Sequence, residues 1–140
     1  MEKITTRDGS DTFLNKEVGE SYHSFTGAVD EALRKFCEPT DIQKRAREGN
    51  ITLLDFCFGL GYNSAMAVAV ALKENPDCHI TIIALEKDPR IIELIQEVNP
   101  EILGYDLFKQ ITVDNPILKT TNLTLTLKLG DARELIKSVE

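Results

Sequence analysis

The sequence predicts an α/β protein built on a parallel sheet, and three observations carry that prediction. Residues 51–56 ("ITLLDF") and 80–85 ("ITIIAL") are nearly continuous runs of β-branched residues and leucine, the composition of strands covered on both faces. Helix-like stretches, "SAMAVAVALK" at 64–73 and "PRIIELIQEV" at 89–98, follow each run. A third run, "NLTLTLKL" at 122–129, leads into the helix start "GDARELI". Strands that alternate with helices pair in parallel through right-handed crossovers, which is a Rossmann-like arrangement.

The chain divides into an N-terminal segment, 1–49, and a Rossmann-like unit, 50–140. Within residues 1–20, "ITTRDGSDTFLN" sets Asp8-Gly9 between two short arms, and glycine's tolerance of positive φ makes this a β-hairpin turn. Ala28, Ala32, Leu33 and Phe36 fall at helical spacing over 25–37. Pro39 stops that helix, Thr40 or Asp41 can cap a short second one through Arg47, and Gly49-Asn50 closes it. After the second strand, Pro89 suits a first helical turn, where its missing N–H is no loss. Residues 99–111 ("NPEILGYDLFKQI") also read as helix, interrupted at Gly104. In the third run Leu123, Leu125, Leu127 and Leu129 alternate with Thr124, Thr126 and Lys128, so one face alone is apolar, as in an edge strand.

At 140 residues, 42% hydrophobic and 28% charged, the chain has the size and composition of one globular domain. No stretch reaches the ~20 apolar residues that span a bilayer. The opening "MEKITTRDGSDTF" has no apolar signal-peptide core, so a cytoplasmic protein without a membrane partner is expected. The 3 cysteines, Cys37, Cys57 and Cys78, are widely spaced with no C-x-x-C pair, which argues against a disulfide framework and against a zinc site; no metal is expected. A net charge of −7 disfavours a polyanionic partner. The local cluster of Arg34, Lys35, Lys44, Arg45 and Arg47 reads more readily as a solvated helix face than as a nucleic-acid patch.

Ligands of such sheets lie outside the carboxyl ends of the strands, where the first loop enters the first helix. That loop is "DFCFGLGYN", 55–63. Gly59 and Gly61 let the backbone turn sharply and leave room for a ligand against it, and Asn63 or Ser64 can cap the helix. Glu86 ends the second strand, placed to accept both ribose hydroxyls of an adenosine. Asp131, in "GDA" after the third strand, can accept from an adenine amino group. Lys87 and Ala132 adjoin these two acids and are grouped with them.

Two cofactors share this geometry. A dinucleotide sets its pyrophosphate on the helix N-terminus and prefers no negative charge at the strand end. S-adenosylmethionine has no phosphate and carries an ammonium and a sulfonium, so Asp55 suits it and would repel a pyrophosphate. Asp55, Glu86 and Asp131 at three successive strand ends favour S-adenosylmethionine. Each acid also has a plain structural role open to it: Asp55 and Asp131 as helix caps, Glu86 as a solvated loop acid.

These residues carry a resemblance. Phe58, Gly59, Gly61 and Asn63 match the F-G-x-G-x-N cofactor loop of the S-adenosylmethionine-dependent methyltransferases of the tRNA 5-methylaminomethyl-2-thiouridine family. Upstream, "DGSDTF" and "GESYHSFTGAVDEA" (19–32) resemble that family's N-terminal segment. The resemblance is to the stand-alone methyltransferase type, because no flavin fingerprint of the fused oxidase occurs. It implies the first half of a class I methyltransferase sheet, S-adenosylmethionine as cofactor, and Tyr22, His23 and Ser24 near the cofactor or substrate pocket. The reaction it implies is methyl transfer to the primary amine of an aminomethyl group on the wobble uridine of tRNA.

Two departures stand out. Cys57 occupies the place where many class I methyltransferases carry the first loop glycine. The acidic motif after the family's fourth strand has no counterpart in these residues, so no catalytic residue is named, and a C-terminal half or partner chain is expected to complete the sheet. Two other readings stay open: a class I methyltransferase acting on a small molecule or protein, and a non-catalytic nucleotide-binding half-domain.

Overall fold

The computed structural model describes residues 1–17, 19–21 and 27–139. Strand β1 (Glu2–Thr5) pairs antiparallel with β2 (Asp11–Asn15) across the Asp8-Gly9 turn, and β3 (Glu20–Ser21) adds to β2. The predicted hairpin is therefore a three-stranded sheet. Asp8 organises its turn: the carboxylate accepts from Thr6 Oγ1 (2.8 Å), Ser10 N (3.0 Å) and Ser10 Oγ (2.5 Å), and from Asp30 N (3.0 Å) in the helix that follows. Burial pushes this carboxyl up, but the hydrogen bonds outweigh it and hold Asp8 at about 2.

Helix α1 (Ala28–Glu31) runs on as a wider π-helical turn, Ala32–Cys37, followed by α2 (Ile42–Arg47). Neither Thr40 nor Asp41 caps α2 with its side chain. Asp41 sits in the left-handed region at φ 57, and the Thr40 hydroxyl donates back to the Phe36 carbonyl at 2.6 Å.

The second sheet holds β4 (Asn50–Phe56), β5 (His79–Glu86), β6 (Ile117–Lys119) and β7 (Leu123–Leu129) in the order β4-β5-β7-β6. The pairs β4–β5 and β5–β7 are parallel, as expected, and β6 is antiparallel to β7. The alternating strand β7 is thus not the edge. The chain reverses at residues 120–122, and the short β6 covers the side that the half-polar pattern of β7 had marked as open.

Helix α3 (Tyr62–Glu74) and helix α4 (Ile91–Ile95) follow β4 and β5. The predicted helix over 99–111 is shorter: Gly104 turns left-handed at φ 85 and opens a 3₁₀ turn, Tyr105–Gln110. Helix α5 (Ala132–Leu135) follows β7.

Two right-handed crossovers that step in the same direction put both helices on one face of the sheet. That face is the core, where Ile51, Ile80, Ile82, Leu123, Leu125 and Leu127 pack with Ala65, Val68, Ile91 and Phe108. The expectation of strands covered on both faces is therefore corrected for β4. On its other face Thr52 is exposed, Leu54 is 37% exposed and Phe56 49%. Among the described residues, β4 pairs with β5 alone.

Candidate functional site

Three strand ends are tied together at one edge of the sheet. The Phe58 N–H donates to the Leu85 carbonyl (3.0 Å), binding the loop after β4 to β5. The Gly130 N–H donates to the Glu86 carbonyl (2.8 Å), binding the end of β7 to β5. Asp55, the loop 57–61, Glu86 and Asp131 stand at these ends because each follows an apolar run that fixes its strand in register.

Asp55 is 1% exposed and accepts from Ser64 Oγ at 2.5 Å. Burial pushes its carboxyl up, the Ser64 bond opposes this, the nearby Glu86 charge adds to it, and the result is about 6. Ser64 is engaged here rather than as a helix cap. The N-cap position of α3 is Gly61, and no side chain caps it, Asn63 included.

Glu86 is 7% exposed, so it is not a solvated loop acid. Its Oε2 accepts from the Gly59 N–H (2.7 Å) and its Oε1 from the Asp88 N–H (2.9 Å). Neither Asp55 nor Glu86 forms an ion pair among the described residues.

The glycine loop rests on a floor of aromatic rings that the sequence did not reveal. Phe58 stacks on Phe108 (6.3 Å between centroids), Phe108 on Tyr105 (5.9 Å), and Tyr105 meets the ring of Tyr62 edge-on (5.6 Å). The Tyr105 hydroxyl donates to the Leu60 carbonyl at 2.6 Å. The Tyr62 hydroxyl donates to the Asp11 carbonyl at 2.5 Å and so joins α3 to the N-terminal sheet. A buried tyrosine needs a partner for its hydroxyl, and that is the signal by which Tyr62 and Tyr105 could have been found.

This floor gives Gly61 a packing role as well. With φ 77, a Cβ there would lie 2.6 Å from Phe58 Cζ and 3.2 Å from Phe108 Cδ2, so this glycine also makes room for the protein's own rings. Gly59 is also left-handed, at φ 57. Cys57, where a glycine is usual, adopts φ 55 and is exposed; the loop keeps the glycine conformation without the glycine.

Asp131 is the N-cap of α5. Its carboxylate accepts from the Arg133 N–H (2.9 Å) and from the Arg133 guanidinium (Nη2, 2.6 Å). Arg133, helped by Lys87, holds Asp131 down at about 2. Ala132 opens the helix beside it. Tyr22, His23 and Ser24 lie outside the described residues.

A cavity of about 560 Å³ adjoins Glu86 and Lys87, walled on one side by Asn15, Glu17 and Glu20 of the N-terminal segment and on the other by residues 86–90. Glu17, Glu20, Glu86 and Asp88 outnumber Lys87 and Arg90 around it, and Arg90 is already paired with Asp88 at 2.7 Å. The cavity is therefore acidic. Asp55, Gly59, Gly61, Asn63, Asp131 and Ala132 do not line it.

The basic cluster is elsewhere. Its α2 members precede the N-terminal end of β4, away from the strand ends that carry the acids, and Arg34 and Arg47 are paired with Asp30 (2.9 Å) and Glu74 (2.5 Å). Among the described residues no group of acids, cysteines and histidines could hold a metal ion, and no helix is long and apolar enough to cross a membrane.

A mostly parallel sheet with a glycine loop entering its first helix and carboxylates at successive strand ends defines a Rossmann-like, methyltransferase-like fold. Among solved structures the chain is similar to MnmC2 from Aquifex aeolicus, with 39% identity and a TM-score of 0.82 over 99% of this chain and 45% of that one. The likeness is consistent with the MnmC methyltransferase-domain family, the family that the sequence resembles. The chain is also 32% identical over 95 residues to an uncharacterised protein of Methanocaldococcus jannaschii, an alignment that takes in 68% of this chain and 25% of that protein. The chain thus spans a quarter of its curated relative and under half of MnmC2. No protein-family model matches it.

Proposed function

We propose that the chain binds S-adenosylmethionine and forms the cofactor-binding part of a tRNA methyltransferase acting on the aminomethyl group of a modified wobble uridine. The observation that carries the cofactor reading is the pair Asp55 and Glu86. Two buried carboxylates stand on adjacent strand ends, neither ion-paired among the described residues, and the buried charge of Asp55 carries a desolvation penalty. A ligand that brings an ammonium and a sulfonium offsets that penalty, and the acidic cavity beside Glu86 suits the same charge.

The loop's own amides support this choice over a dinucleotide. The N–H groups of Phe58, Gly59 and Gly61 end on the Leu85 carbonyl, the Glu86 carboxylate and the Phe58 carbonyl. They are not presented to a pyrophosphate, which binds by collecting such donors. Glu86 keeps acceptor capacity on both oxygens beyond its two backbone bonds, enough for the two hydroxyls of a ribose. Asp55 would face the amino-acid end of the cofactor. When bound, S-adenosylmethionine supplies an electrophilic methyl carbon; the residues here hold and orient it and keep its charges matched.

The tRNA reading rests on the likeness to MnmC2 and on the resemblance of the loop and upstream segment, not on the basic cluster. The residue that orients the substrate amine is proposed to come from further strands on the free side of β4, for which the greater length of the relatives leaves room. A carboxylate there would orient the neutral amine and take up its proton. Positioning of nitrogen, methyl carbon and sulfur in line accounts for ~7 kcal/mol or more of barrier lowering in well-oriented systems.

Transfer of labelled methyl from S-adenosylmethionine by the complete protein tests this. Labelling of tRNA that carries the aminomethyl group, and not of tRNA lacking it, is the expected result. Labelling of a protein or small molecule instead would replace the tRNA substrate with another.

A further inference from the structure

We propose that Glu86 is also a positioning residue, which sets the loop 57–61 against the end of β5 before any ligand arrives. One carboxylate bridges the two loops that border the site: Oε2 takes the Gly59 N–H at 2.7 Å and Oε1 takes the Asp88 N–H at 2.9 Å. Of the loop amides of Phe58, Gly59 and Gly61, the first and last rest on backbone carbonyls, and Gly59 alone rests on a side chain. The segment needs such a hold, because Cys57, a non-glycine residue, stands in the left-handed region at φ 55. The carboxylate is buried, which strengthens charge-assisted bonds of this kind.

The bridge also shapes what Glu86 accepts. Each oxygen has already taken one N–H, so each offers its remaining capacity to one further donor. That leaves a fork suited to a vicinal diol, and a ligand engaging it is felt at once by Gly59 and by Asp88. The bridge itself belongs to the ligand-free chain and does not depend on which cofactor binds.

Hydrogen exchange read at single amides of the ligand-free full chain tests it. In Glu86→Ala, exchange at Gly59 and Asp88 should rise by roughly tenfold or more, while Ile82 and Leu125 in the strands stay protected. Glu86→Gln keeps the shape of the side chain but has one acceptor oxygen, so one of the two amides should stay protected and the other should exchange faster. This second variant keeps the test decisive if the alanine protein fails to fold. Unchanged exchange at both amides in the glutamine variant, with the strands protected, would overturn the proposal. Failure to bind S-adenosylmethionine would leave it standing.

Discussion

The Ser64 hydroxyl, in the first turn of α3, donates at 2.5 Å to the carboxylate of Asp55, which ends β4 and is almost wholly buried. This joins the strand to its following helix at the one place, among the described residues, where a buried charge is not held by a backbone N–H.

The consequence is a dependence of stability on pH. Burial raises the Asp55 carboxyl from 3.8 to about 6, so the folded state holds its proton more tightly than the unfolded chain. Below pH ~4 the group is protonated in both states and carries no penalty. As pH rises from about 4 through about 6, stability is lost, on the order of 3 kcal/mol by pH 7. Asp55→Asn should remove this loss. Denaturant unfolding at several pH values should show the variant gaining on the wild type as pH rises, and a constant difference would contradict the burial of a titrating charge here.

Ser64→Ala takes away the bond that opposes this shift. We expect a loss of about 2 kcal/mol at pH 8, where the carboxylate is ionised, and a smaller one at pH 4. The same unfolding titration reads both values. Equal losses at the two pH values would mean that the hydroxyl serves packing alone.

Gly61→Ala should damage the fold, not ligand binding alone. The added methyl meets Phe58 at 2.6 Å, and Phe58 is held by its stack on Phe108. With the positive φ the combined destabilisation is about 3 kcal/mol. Thermal unfolding of the variant checks this, and a melting temperature equal to that of the wild type would contradict the packing.

Much of this was legible in the sequence, and for physical reasons. Strand runs 51–56 and 80–85 are long and apolar enough to leave no competing pattern, and the acids Asp55 and Glu86 stand out against the apolar residues beside them. Strand β6 was not legible: three residues, Ile117–Lys119, are too few for an alternation to register. The packing of Gly61 against Phe58 was not legible, because a sequence shows that a side chain is missing but not which of the protein's own rings lie beside it. Asp131 carried two readings. The structure places it as the cap of α5 in the grip of Arg133, a pairing visible in the spacing D-A-R once the helix start is known.

Cys57→Gly should stabilise the protein by about 1 kcal/mol, because a non-glycine residue at φ 55 stores strain that glycine does not. Denaturant midpoints of the two proteins decide the matter. A destabilised glycine variant would show that the thiol makes contacts that outweigh the backbone strain.

In the proposed reading, Glu86 and Asp55 hold an adenosine-bearing cation. Isothermal titration of the protein with S-adenosylmethionine, with NAD as the competing ligand, decides between this and a dinucleotide site. We predict binding of S-adenosylmethionine, none of NAD at the same concentrations, and a loss of ~1.5–3 kcal/mol in Glu86→Ala, which is roughly a 10- to 150-fold weaker Kd. Tighter binding of NAD than of S-adenosylmethionine, or a Glu86→Ala protein that binds as the wild type does, would contradict it.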